Sequence, residues 1–340
     1  TLYYGFAIRF ARFLSRKLYR VRLGHHAADT LASIDRSATV VFVMNHRSNM
    51  DYVLVTYLAA EQSALSYAVG EWARVWPLSR LIRAMGAYFI RRRSRGELYR
   101  RVLARYVALA TEGGVTQAVF PEGGLSLDGA LAKPKLGILR YIVDGYDADV
   151  RDVVFIPVAI NYDRVFEDKI LVAAGQRGDR RFGARISVVV KYIWRITWRW
   201  ATGRYHRFGY AAVSFGAPLS LRAFAGTKPP LIEDLASDLM QRIGAVVPVL
   251  PVPLAASVFL SAKAPLSFAA YREAFCAVIE AMPEAHIHAP REDMDYAVEY
   301  GLRNLVARGF VSETEGTYSA TDEGRPLLHY YANSIAHLLR

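Results

Sequence analysis

Between residues 39 and 217, short apolar runs alternate with amphipathic stretches, and this alternation restricts the fold more than any other feature of the chain. TVVFVM (39–44), AYFI (87–90), QAVF (117–120), VVFIPVAI (153–160), ISVVV (186–190) and AAVSF (211–215) have the length and branching of strands. DYVLVTYLAAE (51–61), RVWPLSRLIRAM (74–85) and ELYRRVLARYVALA (97–110) carry helical spacing between them. The expected class is α/β, with a central, largely parallel or mixed sheet flanked by helices. In such folds the loops after the strands' carboxyl ends bind ligands.

The character changes after TKPP (227–230). LIEDLASDLMQRI, FAAYREAFCAVIEAM and MDYAVEYGLRNLVARG read as helices, and FVSETEGTYSA as a hairpin turning at Glu315-Gly316. The expected organisation is a basic amphipathic, membrane-associating segment (1–38), a catalytic domain (39–228) and a mostly helical C-terminal region packed on it (229–340). The longest uncharged stretch, IGAVVPVLPVPLAASVFLSA (243–262), carries Pro248, Pro251 and Pro253, which argue for a buried extended connection rather than a membrane span.

A chain of 340 residues buries a sizeable core without disulfides, and its one cysteine excludes a disulfide framework. Cys276, within AFCAVIEAM, is expected to be a buried packing thiol. His286 and His288 lack a third metal ligand nearby and read as a loop or strand pair, so no metal is expected.

Lysine and arginine number 43 against 31 acidic residues, a net charge of +12 that favours an anionic partner. The cations are interleaved with aromatics in residues 2–23 and in KYIWRITWRW (191–200), a pattern suited to a lipid headgroup interface. These features predict contact with a phospholipid membrane surface, as a peripheral or monotopic protein on the cytoplasmic face. Residues 2–23 are too basic for a signal-peptide core. A nucleic-acid-binding reading draws on the basic pI and on residues 292–328, whose helix and hairpin resemble a winged helix. That segment is acid-rich, the wrong sign for a phosphate-binding face, and no nucleic acid is expected.

Chemistry concentrates first in NHRSNMD (45–51), directly after an apolar run. On a continuous helix five residues turn the chain through about 500°, so His46 and Asp51 would not share a face. They meet only if the chain folds back between them. With Ser48 or Asn49 as N-cap, His46 lies in the loop and Asp51 in the first helical turn. The carboxylate then fixes one imidazole nitrogen and leaves the other as a base for a hydroxyl proton. The competing reading is a capped helix start with an incidental histidine.

Three further stretches end in chemistry after strand-like runs. GAYFIRRR (86–93) ends in three arginines, VFPEGGLSLDG (119–129) in a glycine pair that permits close backbone approach, and VFIPVAINYDRVFE (154–167) leaves the sheet at Asn161-Tyr162-Asp163. Gly124-Leu-Ser126 suggests a serine hydrolase, but Asp128 occupies the last glycine position of a G-x-S-x-G elbow.

In order and spacing, HRSNMDY, GAYFIRR, FPEGG and IPVAINYDRVFE resemble the four blocks of the glycerolipid acyltransferase superfamily. HRS-x-x-DY, YDRV-x-E and the final HYYANSIAHLL (329–339) are most similar to membrane-associated glycerol-3-phosphate acyltransferases. The resemblance implies transfer of an acyl chain from acyl-CoA or acyl-carrier protein, as co-substrate and without a cofactor, to the sn-1 hydroxyl of glycerol 3-phosphate. His46 would be the general base and Asp51 its orienting carboxylate, with no acyl-enzyme. Arg47, Ser48, Arg91, Arg92, Glu122, Gly123, Gly124 and Lys135 would bind substrate, Lys135 through the acceptor phosphate, and Pro157 would shape the acyl pocket. Members commonly carry arginines where this chain has Leu125 and Leu127. Each missing charge-assisted contact would weaken phosphate binding by about 1.5–3 kcal/mol unless Lys133, Lys135 or Arg93 substitutes. Lysophosphatidate or another alcohol is the alternative acceptor.

Overall fold

The computed structural model describes residues 17–26, 34, 35, 37–52, 54, 66–70, 87–90, 96–178, 208–226 and 231–339, with positions 9, 12, 13 and 15. The expected helix at 74–85, strand at 186–190, aromatic segment at 191–200 and arginines at 91–93 lie outside the described residues.

The first two thirds of the chain form one mixed sheet. Its strands are β1 (Arg20–His26), β2 (Thr39–Met44), β3 (Ser66–Gly70), β4 (Ala87–Ile90), β5 (Gln117–Val119), β6 (Val153–Tyr162), β7 (Tyr210–Phe215) and the short β8 (Leu219–Ser220). They run in the order β1-β7-β6-β2-β5-β3-β4, with β8 beside β6. The five strands from β6 to β4 are mutually parallel, while β7 is antiparallel to β6 and carries β1 parallel to itself. Residues 20–26, read from sequence within the basic N-terminal segment, are therefore a strand of this sheet, the terminal one among the described residues.

Both faces of the sheet are covered, which explains why β6 is buried at every position. One face packs Val41, Val43 and Phe155 against helices α1 (Glu97–Glu112), α2 (Gly137–Asp144) and, beyond α3 (Asp168–Gln176) and α4 (Leu221–Ala225), α5 (Ile232–Ala245). The other face packs Phe42, Met44, Ile156 and Val158 against α6 (Pro251–Ser261), α7 (Phe268–Glu280), α8 (Met294–Ala307) and α9 (Arg325–Ala332). The C-terminal helices thus form one wall of the core.

Residues 251–261 are helix α6, which corrects the expected extended connection. Pro251 and Pro253 occupy the first turn, where amide donors have no intrahelical acceptor and a fixed φ is helical already. The described amide between them, Val252 N, donates to Asp163 Oδ1 at 3.1 Å. Among the described residues no helix is long and apolar enough to cross a membrane. A three-stranded sheet, β10-β11-β9, is built from β9 (Leu266–Ser267), β10 (Val311–Thr314) and β11 (Thr317–Ala320). Its hairpin turns at Glu315 (φ 49°) and Gly316 (φ 74°), both left-handed as a type I′ turn requires. His286 and His288 flank Ile287, which bridges Val249 in parallel. Cys276 is only half-buried, a correction to the expected buried thiol, because it lies beside rather than within the inward stripe of Tyr271 and Phe275.

Candidate active site

Strand β2 hands its ladder to a side chain before the site begins. Asn45 donates Nδ2–H to the Ile160 carbonyl at 3.0 Å and accepts from the Ile160 amide at 2.8 Å, so its carboxamide stands in for one more backbone pair with β6. The chain then turns: Asp51 N donates to the Ser48 carbonyl at 3.0 Å, Met50 N to Ser48 Oγ at 3.1 Å, and a helix begins at Asp51. That turn brings His46 Nδ1 to 2.9 Å from Asp51 Oδ2. Both residues are buried.

Asp51 is an acceptor for four groups. Oδ2 receives His46 Nδ1–H and the amides of Arg47 (2.6 Å) and Ser48 (2.9 Å), and Oδ1 receives the Tyr162 hydroxyl at 2.5 Å. Four donors on two oxygens call for the carboxylate form, which in turn fixes the Nδ1–H tautomer of His46. Burial, followed by the charge of Asp51, raises the Tyr162 hydroxyl well above its ordinary range and keeps it a donor. His46 Nε2 faces the other way, 3.3 Å from the Tyr52 hydroxyl. Phe120, at 4.3 Å between ring centroids, and Tyr52, at 5.2 Å, wall the imidazole with aromatic surface.

Two buried glutamates hold this loop from outside. Glu122 accepts from the His46 amide at 2.9 Å and from the Ala132 amide at 3.1 Å, tying the Pro-Glu-Gly-Gly turn to the histidine's backbone. Burial pushes its carboxyl up, against the pull of those amides and of Arg47. Glu167 accepts from Ser48 Oγ (2.8 Å), Asn49 Nδ2 (2.9 Å) and Asn49 N (3.2 Å). Its carboxyl is likewise raised by burial and pulled back by Ser48 and Asn49.

The expected site residues separate into groups. His46, Arg47, Ser48, Asp51 and Glu122 are brought together. The Ser48 hydroxyl both donates to Glu167 and accepts from Met50, and both Glu122 oxygens accept amides, so these two side chains support the loop rather than open onto a ligand. Gly123 holds φ 65°, and a Cβ there would come 2.7 Å from Lys135 Cδ; Lys135 lies across the turn that Gly123 and Gly124 make. Pro157 is on the opposite side of the sheet. Its Cβ faces Gly216 beside Val246, and its missing N–H falls where β7 ends and β8 begins. It does not join the site. Arg91 and Arg92 lie outside the described residues. Ser126 Oγ donates to the Ala130 carbonyl at 2.9 Å, lies 3.2 Å from Asp128 Oδ1 and accepts the Gly129 amide at 3.0 Å, which makes it a staple within its own loop. Leu125 and Leu127 are half-buried against the core.

Tyr162, Glu167 and Asn45 were given no role in the site by sequence reasoning. YDRV-x-E contains the first two, but only the fold puts them 111 and roughly 119 residues away in the chain against the His46 loop.

Residues 26–161 match the acyltransferase family model, and residues 199–340 match that of the glycerol-3-phosphate acyltransferase C-terminal region. The chain is 27% identical to a glycerol-3-phosphate acyltransferase of Alteromonas mediterranea, covering 97% of this chain and 43% of that protein. It is 29% identical to the putative acyltransferase plsB1 of Mycobacterium tuberculosis, over 97% of this chain and 54% of the relative. The chain therefore spans about half, or less, of the length of these curated relatives. Among solved structures, the 1-acyl-sn-glycerophosphate acyltransferase PlsC of Thermotoga maritima aligns with a TM-score of 0.43 at 18% identity, covering 70% of this chain and 77% of that one.

Proposed function

We propose, from the premise that this chain belongs to the glycerolipid acyltransferase superfamily, that it transfers a fatty acyl group to the sn-1 hydroxyl of glycerol 3-phosphate, giving lysophosphatidate. The observation that carries the reading is the orientation of His46, with Nδ1–H held by Asp51 and Nε2 directed away from the carboxylate. The acceptor hydroxyl takes the place of Tyr52 at Nε2. As its proton passes to the imidazole, the oxygen attacks the thioester carbonyl carbon of acyl-CoA or acyl-carrier protein. The carbon–oxygen bond forms, the carbon–sulfur bond breaks, and the imidazolium returns the proton to the departing thiolate. Asp51, fixed by three further donors, stabilises the imidazolium without taking its proton. The thioester is already activated, so no acyl-enzyme is required.

The acyl chain is delivered from a phospholipid surface. Leu98, Val102, Tyr106 and Leu109 of α1 are 77, 59, 47 and 51% exposed. At about 100° per residue they fall on one stripe of the helix, with Arg101 and Arg105 along its flank. An apolar stripe beside cations suits an interfacial helix. This supports a peripheral or monotopic attachment to a lipid surface.

The test is acyl transfer by purified protein in detergent or liposomes, with one acyl-CoA and glycerol 3-phosphate, lysophosphatidate or no acceptor. Product from glycerol 3-phosphate is expected. Product from lysophosphatidate alone would move the protein to a second acylation, and thioester hydrolysis indifferent to acceptor would remove the reading.

A further inference from the structure

The residue after the catalytic histidine carries a charge that the protein does not satisfy. Arg47 is 3% exposed, and of its guanidinium nitrogens only Nη1 has a partner, the Gly129 carbonyl. Nε and Nη2 are buried with no hydrogen bond. A second orphan stands in the same region: Tyr330 of α9 is buried and its hydroxyl has no partner. The two are linked through Gly129. A Cβ at that glycine would fall 1.8 Å from the Tyr330 carbonyl oxygen, so α9 presses directly on the loop that holds Arg47 Nη1. Arg47 is also close enough to oppose the rise that burial imposes on the Tyr330 hydroxyl.

Unpartnered buried donors are costly, and those of a charged group more so. The nearby carboxylates do not meet the need. Glu122 is occupied by two amides, Glu167 by Ser48 and Asn49, and Asp51 by its four donors. What remains is part of a planar guanidinium fork, on the residue next to the group proposed to receive the acceptor's proton, and the hydroxyl of Tyr330 from the C-terminal region. A fork of this kind matches the oxygens of a phosphate. Leu125 and Leu127 offer no charge, and Lys135 is exposed, lying over Gly123.

We propose that Arg47 Nε and Nη2, with the Tyr330 hydroxyl, form an interior site for a phosphate monoester. Assigning that phosphate to the acceptor alcohol rests on the acyl-transfer reading above; the existence of the site does not. The C-terminal region then contributes a substrate contact as well as a wall of the core, and α9 closes over the phosphate while the hydroxyl end of the acceptor meets His46.

Tyr330→Phe and Arg47→Gln test this with two readouts. The first is the melting temperature in inorganic phosphate against chloride at constant ionic strength. The wild type is expected to gain stability in phosphate, and each variant to lose that gain. The second is steady-state kinetics. Losing a charge-assisted contact predicts a KM for glycerol 3-phosphate raised about ten- to hundredfold in Arg47→Gln, and less in Tyr330→Phe, with the KM for acyl-CoA unchanged. Because its hydroxyl has no protein partner, Tyr330→Phe should fold at least as stably as wild type in chloride. A phosphate gain lost in the variants supports the site even where no acceptor is acylated, which would count against the functional reading alone. Equal phosphate effects in wild type and Tyr330→Phe would overturn the site. An altered KM for acyl-CoA in place of glycerol 3-phosphate would overturn the acceptor assignment.

Discussion

Replacing Tyr162 by phenylalanine removes one oxygen atom from beneath the His46–Asp51 pair and keeps the ring. The ring is buried in the core beside Tyr19, with centroids 5.3 Å apart, so packing is preserved. The lost group donates to Asp51 Oδ1 at 2.5 Å, whereas His46, Arg47 N and Ser48 N all bind Oδ2. Oδ1 is then a buried carboxylate oxygen without a donor among the described residues. A hydrogen bond to a charged group contributes about 1.5–3 kcal/mol, and each 1.4 kcal/mol corresponds to a factor of ten. If Tyr162 holds the carboxylate in the geometry that stabilises the imidazolium, kcat should fall about ten- to hundredfold while both KM values stay within about twofold. The melting temperature should drop by a few degrees, since the orphaned oxygen also costs stability. Steady-state acyl-transfer kinetics and a thermal melt suffice. A melting temperature that falls while kcat stays within twofold of wild type would show that Tyr162 supports the fold and leaves the base untouched.

Other perturbations separate the supports of the site. Glu167→Gln places an amide against Ser48 and Asn49 donors, and about 1–3 kcal/mol of stability should be lost together with kcat, read by melting and kinetics. Glu122→Gln should act similarly by opposing the Ala132 amide; unchanged kinetics would detach the Pro-Glu-Gly-Gly turn from the His46 loop. Asp163 is buried with two amide partners, and burial raises its carboxyl to about 7. A raised folded value makes its contribution complete below pH 3.8 and progressively lost up to about pH 7, by up to roughly 4 kcal/mol. Asp163→Asn should flatten the fall in melting temperature across that window, and an unaltered slope would refute the assignment. Leu98→Ser with Val102→Ser should weaken co-sedimentation with anionic liposomes without changing detergent-phase kcat; undiminished binding would remove the stripe on α1 from the membrane contact.

The contact between His46 and Asp51 was legible because its signal is local: a histidine and an aspartate five residues apart meet only across a turn, and Ser48 and Asn49 supply turn chemistry. The central strands were legible for a related reason, since strands covered on both faces read as unbroken apolar runs. The supports were not. Tyr162 and Glu167 reach the His46 loop because β6 lies beside β2, and no spacing in the sequence encodes that adjacency. Proline misled at residues 251–261 because its meaning depends on where a helix begins. Strand β1 was hidden by Arg20 and Arg22, whose guanidinium groups lie over the ring of Tyr210 on the neighbouring strand, a cross-strand contact that no local pattern reveals. Arg47 was expected to bind substrate from the resemblance alone; that it is buried, with Nε and Nη2 unpartnered, depends on the fold and not on any local pattern.

The central claim is that His46 removes the acceptor's proton, and the rate of acyl transfer to glycerol 3-phosphate by His46→Ala tests it most directly. General-base catalysis of this kind contributes about 10²–10⁴-fold, so kcat should fall by that factor with the fold intact by circular dichroism. Turnover within tenfold of wild type in a folded His46→Ala protein would contradict the account and leave Asn45–Asp51 as a capped helix start.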